Sequence, residues 1–312
     1  MQTDNFNHNT TEVDGLKWHW VEQGEGPAIV LLHGIPESWR CWQHQIPTLA
    51  KQFRVIAPDM KGYGQSGKPK GDYAASTVAA ETLAFLDAIG VEQFHIAGHD
   101  WGVVIADNII NLAPSRVERY IRCCLSLHTY DARNSLHHQW NGRNPEKACQ
   151  LMANADAYVR VWFDSSCKPE CRPDEAEIEE IIKEFSYAGI SDVVPLYFAH
   201  IRNSIPVDYS KFTMPVLYIH GEHDPRQPIE YARGMEEHIP GLEAVLVLDA
   251  GHFVTWERPA EVTNAMMWFL HSMLASGLPL FDRSRHHGLP TKPVHDVESW
   301  GVNPGIARPK AG

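Results

Sequence analysis

The sequence has no long apolar run, and nothing in it approaches the ~20 consecutive apolar residues that a membrane-spanning helix needs. It also lacks any cluster of Lys or Arg. With 27 basic residues against 39 acidic ones, its formal net charge is −12. A chain without a basic face has nothing with which to neutralise phosphates, so nucleic acid is excluded as a partner. The acidic balance implies solubility instead. Cysteines are few: six in 312 residues, at 41, 123, 124, 149, 167 and 171. They form no CxxC framework, and a chain of this length needs no disulfide staples. Only Cys167 and Cys171 are spaced to meet on a turn. The opening MQTDNFNHNTTEVDG is polar and lacks the apolar centre of a secretory leader, so the expected location is cytoplasmic. There is no internal repeat.

What remains is ordinary globular composition, 44% hydrophobic and 21% charged. Short apolar runs alternate with helical patterns. Lys17 to Val21 alternates like an edge strand, whereas AIVLL (28–32), FRVIA (53–57), FHIA (94–97), PVLYI (215–219) and AVLVL (244–248) are continuous. A further strand falls within 117–127. Continuous runs suit strands buried on both faces of a parallel sheet. Helices are expected over 76–89, with Ser76 as N-cap, over 101–113, and over 228–238 and 259–274, the last two opening on Pro. Strands alternating with helices predict a doubly wound α/β sheet. The alternation breaks between about His128 and Tyr209, where Trp, His and polar residues accompany helical pieces such as 175–185. The expected organisation is a core from residues 1–127 and 210–277, a helical cap from 128–209, and a Pro/Gly-rich extension from 278–312.

Four short motifs carry chemistry, each placed just after an apolar strand. Gly98-His99-Asp100-Trp101-Gly102 opens a helix, and small residues around its centre permit a tight turn that thrusts the central side chain out of the sheet. Where such turns commonly carry Ser, this one carries Asp. A carboxylate is poorly suited to acyl transfer but can displace a leaving group at saturated carbon, giving an ester. The following helix N-terminus favours the ionised form. Alone, the motif is equally compatible with Asp100 as a helix cap. His33-Gly34-Ile35-Pro36 can supply a backbone N–H at Ile35 that, with that of Trp101, forms an oxyanion hole, although it also fits a structural turn. Gly251-His252-Phe253 places a general base, and Gly221-Glu222-His223-Asp224 an acid to orient it. Asp224 also suits a turn before Pro225, and Glu222 is the alternative acid.

The chain order Asp100, Asp224, His252 is that of the α/β-hydrolases. Over roughly residues 15–275 the pattern resembles the epoxide hydrolase and haloalkane dehalogenase branch of that superfamily, and FRVIAPDMKGYGQSG (53–67) resembles the family's segment after the HGxP strand. The resemblance implies the α/β-hydrolase fold with an inserted helical cap. It also implies hydrolysis of a carbon–oxygen or carbon–halogen bond in a small apolar substrate through an aspartyl ester, with no cofactor and no metal. The protein is expected as a monomer or homodimer.

The leaving group divides the branch. An epoxide oxygen needs a proton, which cap tyrosines usually supply; a halide needs N–H donors. LYFAHIRNS (196–204) resembles the late cap segment of epoxide hydrolases, but the position of the usual ring-opening Tyr holds Ile201. The candidate donors are therefore His200, Tyr197, Tyr130, Tyr158 and His138. For halide, Trp101 and Trp162 are the candidates. Ile35 stands where many haloalkane dehalogenases carry Asn, and Val103 to Ile110 contains no Arg for a haloacid carboxylate. Epoxide hydrolysis ranks first, dehalogenation second, and a non-catalytic ligand-binding role third.

Overall fold

A computed structural model of the chain describes residues 5–127, 136–232 and 234–271. Eight strands form one sheet. β1 (Asn7–Val13) and β2 (Leu16–Gln23) pair antiparallel across an Asp14-Gly15 turn, and β2 runs antiparallel to β4 (Arg54–Pro58). β3 (Ala28–Leu32), β5 (Phe94–His99), β6 (Val117–Cys123), β7 (Val216–Gly221) and β8 (Leu242–Leu248) continue it in parallel with β4, in the order β1-β2-β4-β3-β5-β6-β7-β8.

Every residue of β5 and β7 is buried. Their side chains alternate between two cores, one on each face of the sheet. Val30, Leu32, Ile56 and Ile96 join one, and Ile29, Leu31, Val55 and Ala97 the other. Each such aliphatic side chain contributes about 1.5–3 kcal/mol on burial. Helices cover both faces: α1 (Ile46–Leu49), α2 (Ala75–Ala88), α3 (Trp101–Leu112) and, later in the chain, a final group described below.

Between β6 and β7 the chain makes α4 (Leu136–Arg143), α5 (Pro145–Met152), α6 (Ala155–Ser166), α7 (Glu175–Phe185) and α8 (Ile190–His200). α7 opens on a capping box, with Asp174 and Glu177 satisfying each other's backbone N–H. This helical layer is pinned over the C-terminal ends of the strands by several hydrogen bonds, among them two anchored on backbone groups. The Tyr197 hydroxyl on α8 donates to the Lys61 carbonyl at 2.6 Å, and the Ser166 carbonyl at the end of α6 accepts from the His252 N–H at 2.8 Å. The chain then closes through α9 (Met235–His238), α10 (Val254–Glu257) and α11 (Pro259–His271).

Three local expectations are corrected. The edge strand expected at Lys17 to Val21 lies in β2, which is inside the sheet, because residues 7–13 (NHNTTEV) pair with it as β1 and take the edge despite their polar character. The helix expected over 228–238 is a 3₁₀ turn at Ile229–Ala232 followed by α9, with Gly234 at φ 79° between them. α2 is capped at Ala74, not Ser76; the Ser76 hydroxyl instead accepts from the Ile205 N–H at 3.3 Å. All six cysteines are free thiols, Cys167 and Cys171 included. No helix among the described residues is long and apolar enough to cross a membrane. The extension at 278–312 lies outside the described residues.

Candidate active site

The loops after β3, β5, β7 and β8 converge at one end of the sheet. β5 turns into α3 at Asp100, whose backbone takes φ 50° and ψ −117°. The turn is tight enough to dictate its neighbours. A Cβ on Gly102 would fall 2.2 Å from the Leu32 carbonyl oxygen, and one on Gly34 would fall 2.6 Å from the Asp100 Cβ. Only glycine lets the two loops close on each other.

The Asp100 carboxylate is held between two groups. The Ile35 N–H donates to Oδ1 at 3.0 Å, and His252 Nε2 lies 3.5 Å from Oδ2. On the far side of the ring, His252 Nδ1 bonds Asp224 Oδ2 at 2.7 Å. Asp224 Oδ1 accepts from the N–H groups of Arg226 and Gln227 at 2.7 and 3.0 Å, which fixes the acid. His252 and Asp224 are almost fully buried, whereas 17% of the Asp100 side chain stays accessible. Burial pushes the Asp100 carboxyl up, but the hydrogen bond and charge of His252, with His99 and the Ile35 N–H, outweigh it and hold the group well below the usual carboxylate range. Burial lowers His252, yet Asp224 and Asp100 together push it up to about 10. The resting site is a carboxylate–imidazolium–carboxylate array.

Asp100 opens onto a cavity of about 210 Å³. Ile35, Trp101, Val104, Leu125, Phe198, Ile201 and Val207 give it apolar walls, while Trp162, Asp107, Arg226 and Gln227 add polar groups. The Asp107 charge is met by Arg122, by the Tyr120 hydroxyl at 2.7 Å and by the Tyr209 hydroxyl at 3.1 Å.

Asp100, His252, Asp224, Ile35 and Trp101 therefore come together. His33 and Pro36 shape the loop. His33 Nε2 accepts from the Met60 N–H at 3.0 Å, so its Nδ1 carries the proton and donates to the Gly34 carbonyl at 2.9 Å. Trp162 lines the cavity from α6. Two expectations for α8 are corrected. That helix presents Phe198 and Ile201, spaced i, i+3, so Tyr197 and His200, each one residue earlier, point about 100° away. The Tyr197 hydroxyl is spent on Lys61, and His200 Nδ1 accepts from the Tyr73 N–H at 3.0 Å. Tyr130 and the side chain of His138 lie outside what is described.

The structure adds groups that the motifs did not single out. Glu37 and His99, both buried, bond at 2.7 Å behind the site. Glu37 also accepts from the Gly34 N–H and the Trp256 indole, and His99 Nε2 donates to the His252 carbonyl at 2.9 Å. The one available signal was their position, His99 inside one motif and Glu37 directly after another. Of the donors already expected, Tyr158, one turn before Trp162 on α6, has a buried hydroxyl with no acceptor within hydrogen-bond distance. Burial pushes that phenol up, the neighbouring Trp162 indole lowers it, and the Asp100 charge raises it further, which places Tyr158 and Asp100 within electrostatic reach.

Among the described residues three clusters hold metal-ligand types, and each is committed otherwise. Cys124, His220 and Asp224 are drawn on by Tyr218 and His252. Glu37, Cys41 and His99 are bonded as above and to Thr255. The exposed Glu222, His223 and Asp249 already receive the Lys168 ammonium, 2.6 Å from Asp249.

A parallel sheet, a strained Asp at the β5–α3 turn and an acid-steadied His at the strand ends define an α/β-hydrolase. The α/β-hydrolase fold family matches residues 27–154. The chain is 31% identical over 301 residues to the bifunctional epoxide hydrolase 2 of Rattus norvegicus, covering 82% of this chain and 54% of that protein. It thus spans about half the length of that relative. It is 29% identical to the soluble epoxide hydrolase of Corynebacterium sp. strain C12, covering 86% and 98% of the two chains. The crystal structure of epoxide hydrolase A from Mycobacterium thermoresistibile superposes with a TM-score of 0.72 at 25% identity, covering 85% and 98%. The chain has the α/β-hydrolase fold and is similar to epoxide hydrolases within that superfamily.

Proposed function

We propose that the protein is an epoxide hydrolase that works through an ester on Asp100, with α4–α8 as the cap that covers the substrate. The observation that carries this reading is the Asp100 carboxylate itself, with Oδ1 on the Ile35 N–H and Oδ2 facing both the cavity and His252. In the first step Oδ2 attacks an epoxide carbon, the C–O bond breaks, and the ring oxygen takes a proton from Tyr158, a buried cap phenol that feels the Asp100 charge. Imidazolium His252 restores that proton and becomes neutral. In the second step neutral His252 takes a proton from water, and the resulting hydroxide attacks Cγ of the ester. The negative charge that develops on Oδ1 is met by the Ile35 N–H, with the Trp101 N–H at the start of α3 as second donor. Collapse of this intermediate frees the diol and returns Asp100 as carboxylate and His252 as imidazolium, so protons and charge balance.

A second reading, dehalogenation by the same Asp-His-Asp steps, has one observation behind it: two indoles, Trp101 and Trp162, line the cavity. A purely ligand-binding role gives no reason for the strained backbone at Asp100 or for the aligned imidazole.

The test is a panel of styrene oxide and a 1-bromoalkane, read for diol and for bromide. Diol without bromide is expected, Asp100→Ala abolishes it, and His252→Gln accumulates one substrate mass on the peptide containing Asp100. Bromide without diol selects the second reading. A His252→Gln protein that consumes substrate and never carries an adduct removes the ester.

A further inference from the structure

We infer that Arg226 forms an anion subsite in this cavity and that the preferred substrates are small apolar molecules carrying a carboxylate. The inference takes the reacting group from the epoxide reading and nothing else. Arg226 follows Asp224 by two residues, in the loop after β7. Its Nε donates to the Ser166 hydroxyl at 2.9 Å and its Nη2 to the Ser165 hydroxyl, both at the end of α6. The guanidinium carbon sits 4.3 Å from the centre of the Trp162 ring. These contacts fix the plane of the group, yet every one of these partners is neutral.

Among the described residues no carboxylate lies within 4.0 Å of this guanidinium, and Nη1 has no hydrogen-bond partner. The other charges on the cavity wall are taken: Asp107 by Arg122 and two tyrosines, Asp100 by His252. Among the described residues, Arg226 is the one Arg or Lys in the lining. It is half-buried, and arginine remains protonated in proteins. Asp224 and Asp100 act on it only from beyond contact distance and do not outweigh the burial, so a ligand that brings an anion to the guanidinium relieves the cost of desolvating it. The rest of the wall, with Val104, Leu125, Phe198, Ile205 and Val207, suits an apolar body. A volume of about 210 Å³ exceeds the roughly 150 Å³ cavity known to hold benzene, which leaves room for an aryl ring and a short acid arm. The cation also offsets the repulsion that an anionic substrate would meet from Asp100.

The competing role is a latch that merely ties α6 to the β7 loop. Binding of phenylacetate and of phenylacetamide to the full chain, measured by calorimetry, separates the two. Phenylacetate is expected to bind about tenfold tighter or more, the range of hydrogen bonds to charged groups. Arg226→Gln should bring the acid-to-amide ratio close to one, and Arg226→Lys should keep part of it. A wild-type ratio near one, no phenylacetate binding at all, or a ratio that survives Arg226→Gln overturns the subsite. A latch predicts the last of these, because its loss weakens both ligands alike. None of these readouts requires turnover. Hydrolysis of styrene oxide with a ratio of one would leave the proposed function standing and the subsite refuted; a subsite without hydrolysis would do the reverse.

Discussion

Glu37→Gln tests how the site is held together. The wild-type carboxylate is 2% exposed and accepts from three groups: the Gly34 N–H at 3.1 Å, His99 Nδ1 at 2.7 Å and the Trp256 indole at 2.9 Å. An amide of the same size can accept from Trp256 with its oxygen. Its nitrogen can donate to His99 Nδ1 once that ring turns neutral, while His99 Nε2 goes on donating to the His252 carbonyl. It cannot accept from Gly34, because the second oxygen has become a donor. The stranded N–H costs about 1–3 kcal/mol, and at about 2–4 °C per kcal/mol for a domain near this size the melting temperature should fall by roughly 2–12 °C.

The pH dependence of that loss has a definite sign. Burial opposes both charges, but the pair's mutual attraction wins, leaving Glu37 below its ordinary 4.5 and His99 above its ordinary 6.5. The Glu37 contribution is complete above 4.5 and is lost as pH falls through the lowered value. The His99 contribution is complete below 6.5 and is lost as pH rises through the raised value. Thermal unfolding of both proteins across about pH 4 to 9 should therefore show the widest gap between 4.5 and 6.5, narrowing on either side. A gap that widens steadily above 6.5, or one under about 1 °C throughout, would refute the assignment of this pair as a buried salt bridge.

Asp224→Asn removes the strongest influence raising His252, so the imidazole should titrate well below about 10; an NMR titration that finds it unmoved contradicts the geometry. Tyr158→Phe should cut diol formation by about 100-fold with little change in stability, because the lost hydroxyl has no acceptor and only the Trp162 indole beside it; full activity in that variant reassigns the proton donor. Gly102→Ala should destabilise the fold by about 1–3 kcal/mol, since its Cβ would overlap the Leu32 carbonyl oxygen. Chemical denaturation showing no loss would mean that the β5–α3 turn is looser than described.

The sheet was readable because burial on both faces writes continuous apolar runs: the expected 28–32 coincides with β3, and the other parallel strands deviate by one or a few residues at their ends. β1 was not readable, because an edge strand is defined by its partner's hydrogen bonds and NHNTTEV carries no alternation of its own. The positions of Asp100, His252 and Asp224 were legible because each lies in the loop just after a strand, and such a loop can only be at the sheet's rim. Side-chain direction in α8 was not: Tyr197 and Phe198 are neighbours in sequence, and only the docking of the helix decides which one faces the cavity. Arg226 escaped notice for a similar reason, since its meaning depends on the three-dimensional finding that, among the described residues, no carboxylate is in salt-bridge contact with it.

The charge state of His252 gives the proposed two-step route its order. At rest the ring is imidazolium, raised to about 10, and an imidazolium cannot take a proton from water. Two of the four influences that raise it or hold it in place come from Asp100, as a hydrogen bond and as a charge. Ester formation cancels that charge. The ring then keeps Asp224 alone against the burial that pulls it down, so it can release its proton at the moment when the opened epoxide oxygen needs one. The base required for the second half-reaction is therefore produced by the first. Free enzyme, with His252 still protonated, has no base with which to activate water against an unmodified Asp100. The coupling needs no moving part beyond a proton and follows from placing two carboxylates, Asp100 and Asp224, on opposite sides of one buried imidazole.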